Sequence, residues 1–282
     1  MSLSSKYIIP LLLSSLFTPS LFGAPKNFPV PGGVAIFDIS KSGVSRVEFM
    51  GKRGALFREN GTLYALVPIP LWAKEGRYEV KLYGAKNFTL PLEIYKREYA
   101  VQHLVIKNRR KVEPNRKDLA RIAKERERKA KAKAFRSNEY ANVDMVWPVS
   151  GVVSSPFGLR RYFNGKPRSP HSGIDIAAPE GEKVFAAADG VVVDTGNFFF
   201  SGNLVFIEHG NGLMTLYAHL SRIDVRPGDR VKKGEPVGLV GSTGRVTGAH
   251  LHFAVLIDGV YVDPMLFLPE TTMVKRVGEE IE

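Results

Sequence analysis

Short stretches in which apolar and polar side chains alternate dominate the first third of the chain. Val44–Phe49, Thr62–Val67, Arg77–Tyr83 and Phe88–Tyr95 each follow a period of two and are separated by Gly and Asn turns, the pattern of half-buried strands. They predict a small all-β module between about Val30 and Lys107, a sandwich of immunoglobulin-like character. The period then changes. From about Asn115 the chain is rich in Ala, Arg, Lys and Glu and predicts a helix, with Glu125/Lys129 and Glu127/Lys131 at the spacing of supporting ion pairs. Its apolar face is thin: Leu119, Ile122, Ala123 and Ala130. Much later, Ala249–Ile257 is an apolar run interrupted by two histidines and reads as a buried strand. At the other end, Lys6 precedes an apolar run from Ile8 to Phe22 that is broken by Pro and Ser. That arrangement predicts a secretory signal peptide over residues 1–24 in preference to a membrane span.

Length and composition narrow the picture. A chain of 282 residues with 44% hydrophobic residues suggests about two domains, each able to bury an ordinary core. The formal charge of +12 is uneven: Arg109 to Arg136 carries 13 Lys/Arg against four Asp/Glu, a net of +9. A solvated linker helix is the expected role. Contact with anionic wall polymer or a membrane surface through residues 109–136 is the functional alternative. Nucleic acid is not expected, because the basic stretch lacks interleaved aromatics and the chain reads as exported. The absence of cysteine excludes thiol catalysis, disulfides and cysteine zinc sites, and it also excludes a lipoprotein anchor. Export without cysteine fits a periplasmic or envelope location, or secretion.

Candidate chemistry is concentrated in histidine. Four of the six histidines fall in three short strings: His171–Asp175, Tyr217–Leu220 with His219, and His250-Leu-His252. Imidazole and carboxylate are the ligand types of a catalytic zinc, where three protein ligands leave one position open. Gly173 and the flanking Pro170 and Pro179 argue against a helix around His171. On a straight strand His171 and Asp175 would be roughly 13 Å apart, so the chain should turn near Ser172-Gly173 and enter a strand near Asp175. His250 and His252 share one strand face about 6.6 Å apart, so one can bind a metal while the other stands beside it. Tyr217 has the strand parity of His219 and is a candidate oxyanion donor, although packing is its expected role. His103 and His209 lack such companions and read as structural. Asp189–Asp194 and Pro227–Gly238 resemble half-barrel repeats of biotinyl and lipoyl carrier domains, but no exposed Lys hairpin joins two such halves.

From about Trp147 to Leu268 the chain resembles the lysostaphin/LytM-type zinc endopeptidases of bacterial cell walls. The resemblance rests on Ser155–Gly158, His171-Ser-Gly-Ile-Asp175, Ala188–Val192, Met214–Leu220, Gly241–Gly244 and His250-Leu-His-Phe253, in that order. It implies that His171, Asp175 and His252 bind one Zn²⁺ per chain and that His219 and His250 are the catalytic pair. It also implies a peptidoglycan hydrolase cutting peptide cross-links or stem peptides, with D-Ala–diaminopimelate bonds the first expectation and Gly-Gly bridges the second. The expected fold is mainly β: a signal peptide (1–24), the β-rich module (25–107), a basic helical linker (108–142), an antiparallel β peptidase domain (143–270) and a tail (271–282). The rival is a non-catalytic wall-binding or amidase-activating relative, against which the intact set of five residues argues. Loops Arg160–Lys166 and Thr195–Phe200 are expected to line the groove. Phe198, Phe199 and Phe200 read either as core packing or as a groove wall. A polar side chain from the first 140 residues is a further expectation, as a cap on the metal.

Overall fold

The computed structural model describes residues 23–40, 42–105 and 109–270. The apolar run of the expected signal peptide up to residue 22, and the tail 271–282, lie outside the described residues. No helix among the described residues is long and apolar enough to cross a membrane.

The alternating stretches become strands as predicted. β1 (Val34–Asp38), β4 (Ala55–Glu59) and β5 (Thr62–Pro68) pair in the order β1-β5-β4, and β2 (Val44–Phe49), β3 (Lys52–Arg53), β6 (Gly76–Gly84) and β7 (Phe88–Ile94) in the order β3-β2-β6-β7. All of these pairs are antiparallel. Val47, Phe49, Leu56, Val67, Ile69, Val80, Leu82 and Ile94 point inward from both sheets and form one core, which makes the module a sandwich.

A short strand, β8 (Val101–Leu104), and helices α1 (Arg109–Val112) and α2 (Arg116–Lys133) follow. Asn115 caps α2, its side chain accepting from the Asp118 N–H, as Ser, Asp and Asn do at helix starts. Against the expectation of a solvated linker, α2 lies on the second domain. Ala132 is its buried apolar residue, whereas Leu119 is exposed. Of the expected pairings, Glu125 and Lys129 turn their hydrogen bonds to other partners. Arg121 bonds Glu125 at 2.6 Å, Glu125 accepts from Phe199 N–H at 2.8 Å, and Lys129 donates to Ser201 Oγ at 2.8 Å. Arg128 grips both oxygens of Asp194. A helix with so thin an apolar face is therefore held by charge and by cations stacked on Phe198 and Phe199.

The second domain is built on β9 (Val152–Ser155), β10 (Arg160–Phe163), β11 (Lys166–Pro167), β12 (Ile174–Ala177), β13 (Lys183–Phe185), β14 (Gly190–Phe198) and β15 (Gly202–Glu208), then β16 (Leu213–Leu220), β17 (Arg222–Ile223), β18 (Arg230–Val231), β19 (Pro236–Leu239), β20 (Leu251–Ile257) and β21 (Val260–Val262). Its main sheet runs β18-β14-β15-β16-β20-β12-β9, with β21 on β20, and a second sheet runs β13-β19-β17. One face of the main sheet, with Val205, Ile207, Tyr217, Phe253, Val255, Ile174 and Ile176, joins the large core. The other face carries Leu204, Phe206, Met214, Leu216, Ala218, Ala254 and Leu256 and is covered by Phe198 and by Ala132 of α2. The two domains are tied at Arg97–Asp263 (3.0 Å), at the edge-on contact of Tyr99 with Phe157, and by the parallel pairing of β8 with β10.

Candidate metal centre

β12 lies beside β20 with Asp175 directly opposite His252. Ala218 of β16 is opposite His252 on the other side, so these three positions share one face. His171 reaches the same place because the chain turns before β12, as predicted. Gly173 is required there: a Cβ on it would stand 2.3 Å from the Phe253 carbonyl oxygen and 3.0 Å from His252 Cε1. The outcome is a tight triangle. His171 Nε2 is 2.9 Å from Asp175 Oδ1 and 3.0 Å from His252 Nδ1, and His252 Nδ1 is 2.8 Å from Asp175 Oδ1.

The protons available do not satisfy this triangle. His171 Nδ1 lies 2.8 Å from the Pro156 carbonyl, which can only accept, so the ring proton belongs there and Nε2 is a lone pair in the neutral ring. A carboxylate oxygen and an imidazole lone pair face each other at 2.9 Å, and only the proton of His252 can lie among three atoms. Three converging acceptors of this kind suit a cation. A tetrahedral zinc bonded at about 2.0–2.1 Å places its ligand atoms roughly 3.3–3.4 Å apart, close to the separations found. The donor set, two imidazoles and a carboxylate, also fits. Among the described residues, the group contains no side chain from the first 140.

Burial alone would raise the Asp175 carboxyl, but its contacts with His171 and His252 hold it well below the usual carboxylate range. Burial pushes His252 below its ordinary value against the pull of Asp175. Arg161, which the sequence reading did not single out, binds the other oxygen: its Nη2 is 2.9 Å from Asp175 Oδ2 and 2.7 Å from Ser155 Oγ.

His219 and His250 flank the triangle. Their ring centroids are 4.9 Å apart, and His219 is 6.0 Å from His252. His219 Nδ1 donates to the Thr243 carbonyl and His250 Nδ1 to the Gly248 carbonyl, at 2.8 and 2.9 Å. Each neutral ring therefore keeps a lone pair on Nε2. His250 Nε2 is 3.8 Å from Asp175 Oδ1. Burial, followed by the charges of His252 and His250, pushes His219 down to about 3, so it is neutral near pH 7.

Strand parity mispredicts His219. It would share the face of Tyr217, but the register of β15 against β16 slips between Asn203 and Val205, and His219 has φ 66°. This left-handed residue, costly outside glycine, turns the ring to the face of His252. The Ser201 carbonyl accepts from His219 N–H at 2.9 Å, and Ser201 is in turn held by Lys129 of α2. Tyr217 stays in the core, its hydroxyl accepting from Ala187 N–H at 2.8 Å, so packing is its role. His209 is buried between the Asp189 carbonyl and Thr215, and His103 stacks on Tyr162 at 4.9 Å. Phe198 and Phe199 are buried, whereas Phe200 is half-buried and lines a pocket beside α2.

Residues 169–264 match the family model described as peptidase family M23, and residues 27–96 match its N-terminal domain model. The chain is 46% identical over 124 residues to the peptidoglycan DD-endopeptidase ShyA of Vibrio cholerae, covering 44% of this chain and 28% of that protein. It is 46% identical over 129 residues to the DD-carboxypeptidase/endopeptidase Mpg of Neisseria meningitidis, covering 45% of this chain and 30% of that protein. It thus spans less than a third of the length of these curated relatives. A crystal structure from Pseudomonas aeruginosa assigned to peptidase M23 superposes with a TM-score of 0.72 at 36% identity, covering 86% of this chain and 95% of the other.

Proposed function

We propose a function from the premise that this chain belongs to peptidase family M23. The chain is an exported zinc endopeptidase that hydrolyses peptide cross-links of peptidoglycan, with D-Ala–diaminopimelate bonds as its substrate. The observation that carries this reading is the triangle of His171, Asp175 and His252, whose three acceptor atoms converge without protons enough to satisfy them. The DD-endopeptidase activities named for the Vibrio cholerae and Neisseria meningitidis relatives support the substrate class.

His171 Nε2, Asp175 Oδ1 and His252 Nδ1 would hold the zinc. When bound there, zinc supplies Lewis-acid polarisation of the scissile carbonyl and brings the pKa of water toward 7. The remaining work belongs to side chains. His219, with its proton fixed on Nδ1 by Thr243, offers Nε2 as the general base. His250, oriented by Gly248, when protonated on Nε2 hydrogen-bonds the developing oxyanion or gives that proton to the departing amine, while His219 holds the proton taken from water; exchange of both with solvent restores the pair. Lys129, Ser201 and the left-handed backbone at His219 keep the base aimed at the centre. The basic helix supports a second contact. Arg126, Lys129 and Lys133 of α2 and Lys52 of β3 outnumber Glu125 and Asp258 around a pocket of about 560 Å³ that reaches Phe200, and burial and the Lys133 charge push Lys129 down to about 8. Anionic wall polymer fits there.

Purified protein should contain one zinc per chain and release new amines from isolated sacculi in a chelator-sensitive way. Stoichiometric zinc with no amine release would favour the wall-binding or amidase-activating alternative.

A further inference from the structure

The cations of α2 divide into two sets. Arg121 and Arg128 face the peptidase domain and are engaged by Glu125 and Asp194. Arg126, Lys129 and Lys133 instead line, with Lys52 of β3, the pocket of about 560 Å³ beside the helix. Three parts of the chain enclose that pocket. The sandwich contributes β3, the linker contributes α2, and the peptidase domain contributes Phe200 and the β20–β21 turn at Asp258 and Gly259. A hydrogen bond between the domains fixes one wall: Arg53 N–H donates to Asp258 Oδ2 at 3.1 Å.

The two carboxylates at the pocket already have partners. Glu125 accepts from Arg121 through Oε1 and from Phe199 N–H through Oε2. Asp258 holds Arg53 N–H through Oδ2, and its Oδ1 lies 3.8 Å from Arg136 Nη2. The cations do not. Among the described residues, Lys52, Arg126 and Lys133 have no carboxylate within ion-pair distance, and Lys133 rests on the Tyr261 ring at 4.6 Å. Lys129 uses one of its three ammonium donors, on Ser201 Oγ at 2.8 Å. Burial pushes Lys129 down to about 8, and the like charge of Lys133 adds to that push. Four positive charges from two elements therefore converge where both anions are engaged elsewhere. A carboxylate brings one negative charge to such a place, whereas a phosphate monoester brings about −1.5 to −2 and three acceptor oxygens for several donors to share.

We propose that Lys52, Arg126, Lys129 and Lys133 form a phosphate-binding pocket that takes a phosphate monoester carried on the anionic polymer of the envelope. The pocket deepens the polymer contact proposed above and rests on that reading for the source of the phosphate. Arg126 supplies a guanidinium fork and the three lysines supply point charges. A phosphate held there touches the sandwich, the linker helix and the peptidase domain at once, so it fastens the helix between the two domains.

The test titrates the full, zinc-loaded chain with glycerol phosphate, inorganic phosphate and acetate, and reads binding by calorimetry with no substrate present. The wild type should show one saturable glycerol phosphate site per chain that R126Q and K133Q each weaken by about tenfold, the factor of one charge-assisted hydrogen bond. Acetate should bind at least about tenfold more weakly than glycerol phosphate. K124Q removes a charge from α2 outside the pocket and should bind as the wild type does. No saturable phosphate binding, an equal loss in K124Q, or binding that both pocket variants leave unchanged, as phosphate held on the zinc would be, overturns the pocket. Glycerol phosphate binding more tightly than inorganic phosphate supports a polymer-borne group, and the reverse order overturns the polymer as its source. Failure of isolated sacculi to retain the wild type, with phosphate binding intact, overturns the polymer reading alone. Peptide cleavage is not measured, so the peptidase reading stands or falls separately.

Discussion

His209 and His252 stand on the same sheet system, and burial pushes both below their ordinary pKa. Only one of them belongs to a candidate site. His209, just after β15, spends Nδ1 on the Asp189 carbonyl at 2.8 Å and Nε2 on the Thr215 hydroxyl at 2.7 Å. Thr215 continues to the Tyr217 hydroxyl at 3.0 Å, and that hydroxyl accepts from Ala187 N–H. Every link in this chain can be made with one proton, so the network is complete as it stands. His252 sits in β20 with its Nδ1 between Asp175 Oδ1 and His171 Nε2, and there protons run short. The contrast teaches that burial and hydrogen-bond count do not separate a core histidine from a ligand. What separates them is whether protons alone can satisfy the group.

The sharpest way to break that contrast is to remove a ligand from the deficient group. His252→Ala should lose stoichiometric zinc, and kcat/KM on sacculi should fall by more than about a thousandfold; retained metal would refute the ligand set. His219→Ala should keep the metal and lose about 10²–10⁴ in rate. Metal analysis beside the rate separates the two, and metal loss in this variant would move His219 into the ligand set. Arg161→Gln leaves all three ligands in place but frees Asp175 Oδ2. Zinc affinity measured by chelator competition should weaken about 10–100-fold, as for other residues that orient a metal ligand.

The satisfied histidine is tested through pH. Its folded value is about 4 against 6.5 for the free side chain. A depressed value means that His209 contributes stability in full above pH 6.5 and loses it as pH falls through about 4, some 3 kcal/mol over that window. Denaturant midpoints of the wild type should fall accordingly between pH 7 and 4, and His209→Gln should show a shallower slope. Parallel slopes would show that His209 is not what makes the fold acid-sensitive.

These residues also show where the sequence was readable. The turn that brings His171 toward Asp175, and the shared face of His250 and His252, are legible in Pro, Gly and strand spacing, whereas the division into ligands and catalytic pair comes from resemblance. The sandwich strands were legible from spacing in the same way. His219 was assigned by resemblance, and its geometry was not legible: one left-handed residue and a register slip reverse the face that period-two counting gives it. Arg161 falls in a stretch expected to line the groove, but its grip on Asp175 is not legible, since an arginine beside another arginine reads as solvated charge. The docking of α2 was missed because its hold on the sheet is made by Arg128 on Asp194, Glu125 on the Phe199 amide and Lys129 on Ser201, partners that lie more than sixty residues away. Hydrophobic periodicity carries no trace of such contacts.

The central claim is that the proton-poor triangle serves to cut a peptide cross-link. Mass analysis of a D-Ala–diaminopimelate cross-linked muropeptide dimer, digested by the zinc-loaded wild-type protein, tests it most directly. The account predicts two monomers whose masses together exceed that of the dimer by one water, with the break at the D-Ala–diaminopimelate bond. An intact dimer, or a break at any other bond, would contradict it.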